Sequence, residues 1–192
     1  MGMERSLAPR PLAVVTLLLV VPGAASLHIV FGAHNIPHPA KAGKGGEDAF
    51  FFDDGIGTFG LADGVGGTAR NGVDPGKFSR EVLWRCQQSV AIGEGEKVPK
   101  LTDVVEMATA VPMTLGGSTT LILGQMEEST DTLSLLNLGD SGAMLLRPAL
   151  RKFGDMQVLV PRCVLRSMDQ SHFFVSSAKC PPTCRLAFCV SH

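Results

Sequence analysis

The run GGEDAFFFDDGIGTFGLADGVGG, residues 45–67, constrains this chain more than any other stretch. Two short apolar segments, AFFF (49–52) and TFGLA (58–62), flank DDGIG. Aromatic side chains suit a pleated, half-buried surface. Asp and Gly accept the positive φ that a tight turn requires. The run therefore predicts a β-hairpin with acidic far ends, Glu47-Asp48 on one strand and Asp63 on the other. Carboxylates at strand ends are commonly just solvated. The alternative is that the hairpin gathers Glu47 and Asp63 as hard oxygen ligands for Mg²⁺ or Mn²⁺. Glycines after Asp63 favour that alternative, because they let backbone carbonyls approach an ion closely.

The chain has 192 residues, a net charge of −1 and 45% hydrophobic content, enough for one globular domain with a core. Near-neutral charge gives no compositional basis for a nucleic-acid partner. The five cysteines are an odd number, which argues against a complete disulfide framework. Cys86 and Cys163 stand alone, whereas Cys180, Cys184 and Cys189 crowd the end with His192. That tail allows a zinc reading, but structural zinc sites show tighter paired spacing.

Residues 1–26 read as a targeting segment. Arg5 and Arg10 precede the apolar run LAVVTLLLVV (12–21), Pro22-Gly23 breaks it, and Ala24-Ala25-Ser26 follows. This order matches a secretory signal peptide, and the run is shorter than the ~20 apolar residues of a membrane span. A mitochondrial or plastid presequence is the alternative, and any membrane contact would come through this segment if it stayed uncleaved. A first strand is expected at 28–36. A loop then carries Lys41 and Lys44 up to Glu47, where either could hold a phosphate as a point charge. His28, His34 and His38 share no helical face and read as ordinary strand and loop residues.

Phe78, Val82, Cys86 and Val90 recur at helical spacing after Asp74-Pro75, with Leu83 on the neighbouring stripe, and predict a core-facing helix. Trp84 is expected to pack in the core with them. A second helix is expected over 104–111, capped by Thr102 or Asp103 and ended by Pro112. Strands at 118–125, 132–140 and 142–147 would form an antiparallel meander, with GDSG turning the last two and exposing Asp140. QVLVP (157–161) is a further strand. This order argues an α+β layered domain.

The blocks GGEDAFFF and GLADGVGG resemble the metal-dependent protein phosphatases of the 2C (PPM) type, plant and mitochondrial branch. IPHPAKAGKGGEDAFF, NGVDPGKFSRE, GGSTTLIL, LNLGDSGAMLLR and the late HFF match in the same order, so the resemblance covers residues 28–174. It implies an α+β fold of four layers, α-β-β-α, with a two-metal site at one end of the β-sandwich. It further implies hydrolysis of phosphoserine or phosphothreonine proteins by water activated by Mn²⁺ or Mg²⁺. By position, Asp63 would bridge the metals, Gly64 would offer a backbone carbonyl, Glu47 would bind one ion and Asp48 would orient water. Asp140 would lie near an accessory metal, and Lys44 or Lys41 would grip substrate phosphate. Cys86 and Cys163 show no nucleophile context.

The sequence departs from the family pattern in three places. Val65 stands where many members have a His after the Asp-Gly pair. The phosphate-gripping Arg before the acidic pair is unmatched. No aspartate in a DG or DN context follows Asp140, leaving only Asp155 and Asp169 as candidates. The expectation is therefore a C-terminally incomplete domain over 27–174 and an unrelated tail over 175–192. A non-catalytic phosphatase-like remnant or binding module is the alternative.

Overall fold

The computed structural model describes residues 15–16, 19–22, 27–92, 98–127, 132–167 and 170. The HFF block and the cysteine tail with its zinc reading lie outside the described residues. The short strands β1 (Val15–Thr16), β2 (Leu19–Pro22), β3 (Leu27–Val30) and β4 (Ala33–His34) form two small antiparallel ladders, β1 with β4 and β2 with β3. The strand expected over 28–36 is thus broken in two. Part of the apolar leader pairs with it, since an extended β-rich run offers a ready backbone template.

The hairpin forms as its turn chemistry requires. Strands β5 (Asp48–Asp53) and β6 (Thr58–Asp63) pair antiparallel, and β7 (Leu121–Glu127) and β8 (Thr132–Leu138) complete a four-stranded sheet in that order. Register is locked by aromatic rings lying over glycines across the strands. Phe51 faces Gly60 and Phe59 faces Gly124, and a Cβ on either glycine would sit within 2.3 Å of the ring opposite. A one-residue slip would put a side chain where the ring lies, so the glycines specify the pairing.

One face of this sheet is covered by helix α1 (Pro75–Ile92) and helix α2 (Leu101–Thr109). The core between them joins Ala49, Phe51, Ala62, Leu121, Leu123 and Leu136 from the sheet to both helices. The predicted stripe of α1 is buried throughout, Phe78, Val82, Leu83, Cys86 and Val90 included. Trp84 is the exception, at 60% exposed. It lies two residues past Val82, which turns it about 200° around the helix from the core stripe. Helix α2 begins earlier than expected, so Thr102 and Asp103 fall inside its first turn and provide no cap. The Thr102 hydroxyl bonds Asp103 instead, at 3.1 Å.

The meander breaks at the GDSG turn. Strands β9 (Met144–Phe153) and β10 (Met156–Arg166) pair with each other and form a separate ribbon, so β8 and β9 are not neighbours in one sheet. The chain is nevertheless the α+β arrangement expected, with a helical layer on an antiparallel sheet and further antiparallel strands beyond it. No helix among the described residues is long and apolar enough to cross a membrane.

Candidate functional site

The acidic ends of the hairpin meet because the β5–β6 register sets Asp48 directly opposite Asp63. Directly opposed residues on one sheet face bring their side chains within about 5 Å. Two carboxylates so placed cannot both ionise cheaply. Although Asp63 as a whole is exposed at the strand end, partial burial of its carboxyl raises it first. The charge of Asp48 and a hydrogen bond donated to it add to this, with smaller contributions from Glu47 and Asp140, and together they push it up to about 6. Asp48 is also raised, by burial first, although accepting the hydrogen bond from Asp63 pulls it back and the Glu47 charge adds to the rise. Asp140, on the exposed GDSG turn, therefore shares the electrostatic field of Asp63.

Asp63 is held by a clamp from β7 and the residues before it. Its amide donates to Thr120 Oγ1 at 3.0 Å. Its carbonyl accepts from the Thr120 amide at 2.9 Å and the Thr119 hydroxyl at 2.8 Å. Thr120 Oγ1 in turn meets Ser141 Oγ at 2.5 Å, and the Ser141 carbonyl accepts from Asn137 Nδ2 at 2.8 Å. The two strand-end motifs GGSTT and GDSG are thus joined through one chain of hydrogen bonds to Asp63. Sequence reading found both motifs but missed these positioning roles. Their only local signal was the density of small hydroxyl side chains beside glycines.

Glu47 is fixed through its backbone. Its carbonyl accepts from Ser79 Oγ of α1 at 2.6 Å and from the Gly64 amide at 3.1 Å. Gly64 is buried where the hairpin, α1 and the strand entry converge. A Cβ there would lie 2.4 Å from the Pro75 carbonyl oxygen and 3.0 Å from that of Glu47, so no other residue fits without moving the helix.

The lysines behave differently from each other. Lys41 and Lys44 both sit on a short 3₁₀ turn, Pro39–Lys44. Lys41 Nζ donates to Glu47 Oε2 and forms an ion pair with it. Lys44 is exposed. Val65 donates its amide to the Ser118 carbonyl at 2.9 Å and precedes the second 3₁₀ turn, Gly66–Asn71. Cys86 is buried, and burial pushes its thiol up to about 12. Cys163 is exposed on β10. Among the described residues, no group of three or more His, Cys, Asp or Glu side chains is gathered closely enough to hold a metal ion.

No family model matches this sequence. It is 37% identical over 155 residues to a protein of Oryza sativa subsp. japonica named probable protein phosphatase 2C 1, which covers 79% of this chain and 42% of that relative. It is 41% identical over 130 residues to probable protein phosphatase 2C 26 of Arabidopsis thaliana, covering 67% of this chain and 42% of that relative. Among solved structures, the photosystem II phosphatase PBCP superposes with a TM-score of 0.56 at 29% identity, over 85% of this chain and 52% of that one. In both fold and sequence the chain is similar to part of the protein phosphatase 2C proteins. The chain is a relative of the protein phosphatase 2C proteins, and it spans 42% of the length of the two curated relatives above.

Proposed function

We propose that this chain carries part of the active site of a protein serine/threonine phosphatase that depends on Mn²⁺ or Mg²⁺. The observation that carries the reading is the direct opposition of Asp48 and Asp63 at one end of the hairpin, with Glu47 near enough to add its charge to theirs. The donors are hard oxygens, and burial together with the charges of Asp48, Glu47 and Asp140 raises the Asp63 carboxyl. The glycine beside them keeps the place open, since a Cβ on Gly66 would stand 3.2 Å from Glu47 Oε2.

In this reading Asp63 and Glu47 would hold the ions, with the Gly64 carbonyl as a neutral donor and Asp140 serving an accessory position. When bound, such ions supply an activated water and charge stabilisation at phosphorus. Asp48 would orient that water through the carboxyl that now accepts from Asp63. Lys44, exposed on its turn, would meet the anionic phosphate of a phosphoserine or phosphothreonine protein as a point charge. The apolar leader supports delivery to the secretory system, with a mitochondrion or plastid as the alternative destination.

Purified full chain supplied with Mn²⁺ should hydrolyse a phosphothreonine peptide or p-nitrophenyl phosphate, and Asp63→Asn should abolish the turnover. No turnover at saturating Mn²⁺ with a folded protein would remove the catalytic reading. A non-catalytic relative is the second reading, favoured by the absence of a three-ligand cluster among the described residues. Calorimetry separates the two, because a working centre takes up two Mn²⁺ per chain and a remnant takes up one at most.

A further inference from the structure

We propose that the β9–β10 ribbon docks through one face on an anionic phospholipid surface. The ribbon stands apart from the core. None of its residues joins the packed cluster between sheet and helices, and nearly all of them are exposed. Its base is tied down, where the Ala143 amide donates to Ser167 Oγ at 3.2 Å and the Ser167 amide donates to the Ala143 carbonyl at 3.1 Å.

Positive charge is concentrated on this ribbon. Residues 144–166 hold five basic residues, Arg147, Arg151, Lys152, Arg162 and Arg166, against one acidic residue, Asp155, in a chain whose net charge is −1. The register sets Arg147 directly opposite Arg162, with Arg151 further along the same face. Like charges so opposed are destabilising. Among the described residues, no carboxylate pairs with any of these three arginines. The same face carries Val158 opposite Arg151 and ends at the hairpin tip in Phe153 opposite Met156, which are 57% and 67% exposed. Arginine forks suit phosphate, and apolar side chains at the end of a cationic face can enter the layer beneath the headgroups.

Other occupants match this face less well. Pro148 lies opposite Pro161. Two prolines cannot exchange the N–H···O bonds of a hydrogen-bonded pair, so at this position the N–H groups of other residues would point outward. Both outer edges of the ribbon therefore lack a donor there, which blunts it against addition of a further strand. A second copy of the face would bring the same arginines together. The residues after Gln170 include Lys179 and Arg185 and no acidic residue, so they cannot neutralise it. A soluble polyanion would meet the arginines but leave Phe153 and Met156 in water.

Co-sedimentation of the purified full chain with vesicles tests this. Vesicles of mixed phosphatidylcholine and phosphatidylserine should carry down more of the chain than vesicles of phosphatidylcholine alone, and added salt should reduce the difference. Arg147→Gln with Arg162→Gln should weaken binding to the anionic vesicles about 20-fold, since each basic residue near such a surface contributes about fivefold. Lys77→Gln with Lys100→Gln, which removes two exposed cations elsewhere, should stay within about twofold. A second readout places the contact: Phe153→Trp in a Trp84→Phe chain should show blue-shifted emission on anionic vesicles. Equal binding by the double-arginine variant, equal weakening by the double-lysine variant, or an unshifted emission in vesicle-bound protein overturns the proposal. Retention of the chain by soluble polyglutamate or DNA without binding to anionic vesicles overturns it as well.

Discussion

Asp48 on β5 faces Asp63 on β6 as a directly opposed pair, and burial together with the Asp48 charge pushes the Asp63 carboxyl up to about 6. Like charges across a sheet are destabilising, so the pair carries a repulsive cost once both carboxyls are ionised. Asp63→Asn should preserve the hydrogen bond through its amide and remove the repulsion. In EDTA, urea unfolding should show the variant equal to or up to about 1 kcal/mol more stable than the unaltered chain, a gain kept small by solvent screening. Binding of Mn²⁺ should be lost in the same variant.

The same pair fixes a pH dependence. The folded Asp63 value lies above the ordinary 3.8, at about 6, so the folded state holds the proton more tightly than the unfolded state. Its contribution is fully present below pH 3.8 and is lost as pH rises through about 6. Metal-free protein should therefore lose thermal stability across that window, and Asp63→Asn should flatten the loss. A melting temperature that rises through the window in a manner traceable to Asp63 would contradict this assignment.

Gly64 is where packing leaves no room. A Cβ would meet the Pro75 carbonyl oxygen at 2.4 Å, and backbone cannot yield as a flexible side chain can. Gly64→Ala should destabilise the fold by about 1–3 kcal/mol, measured as a shift in the urea midpoint at constant slope. Gly43, where a Cβ would meet nothing within 4 Å, is the control, and Gly43→Ala should change stability little.

Glu81 anchors the segment after α2. Its carboxylate accepts from Arg85 at 2.8 Å, from the Thr114 amide at 2.9 Å and from the Thr114 hydroxyl at 2.6 Å, while Arg85 also holds the Val111 and Pro112 carbonyls. Although crowding alone would raise its carboxyl, the Thr114 hydrogen bonds outweigh this, with Arg85 assisting, and the net shift is downward from 4.5. Its stabilisation is present above that ordinary value and disappears as pH falls through the lowered folded value. Glu81→Ala should cost about 1–2 kcal/mol near neutral pH, and the difference from the unaltered chain should shrink in acid.

The two cysteines of the described domain should separate by reactivity. Cys163 is exposed and Cys86 is buried with its thiol pushed up to about 12. Alkylation near pH 8, followed by peptide mass spectrometry, should label Cys163 within minutes and Cys86 only after denaturation. Prompt native labelling of Cys86 would show that α1 opens readily from the sheet.

What the sequence by itself determined is what depends on short-range pattern. The hairpin was legible because Asp and Gly define its turn, and the buried stripe of α1 because Phe78, Val82, Cys86 and Val90 share one helical face. The acidic ends and the family blocks around them were legible for the same reason. Tertiary structure alone decided the rest. Trp84 lies on a helix whose core face was evident, yet its exposure depended on its angle around the axis. The separation of β8 from β9 at GDSG, the threonine clamp from Thr119 and Thr120 onto Asp63, and the Ser79 bond to Glu47 all join residues distant along the chain. No local period encodes such contacts, since they arise only when strands and helix are packed. Lys41 shows the same division: its charge before the acidic pair was plain in the sequence, and only the closed turn that carries it brought the ammonium onto Glu47.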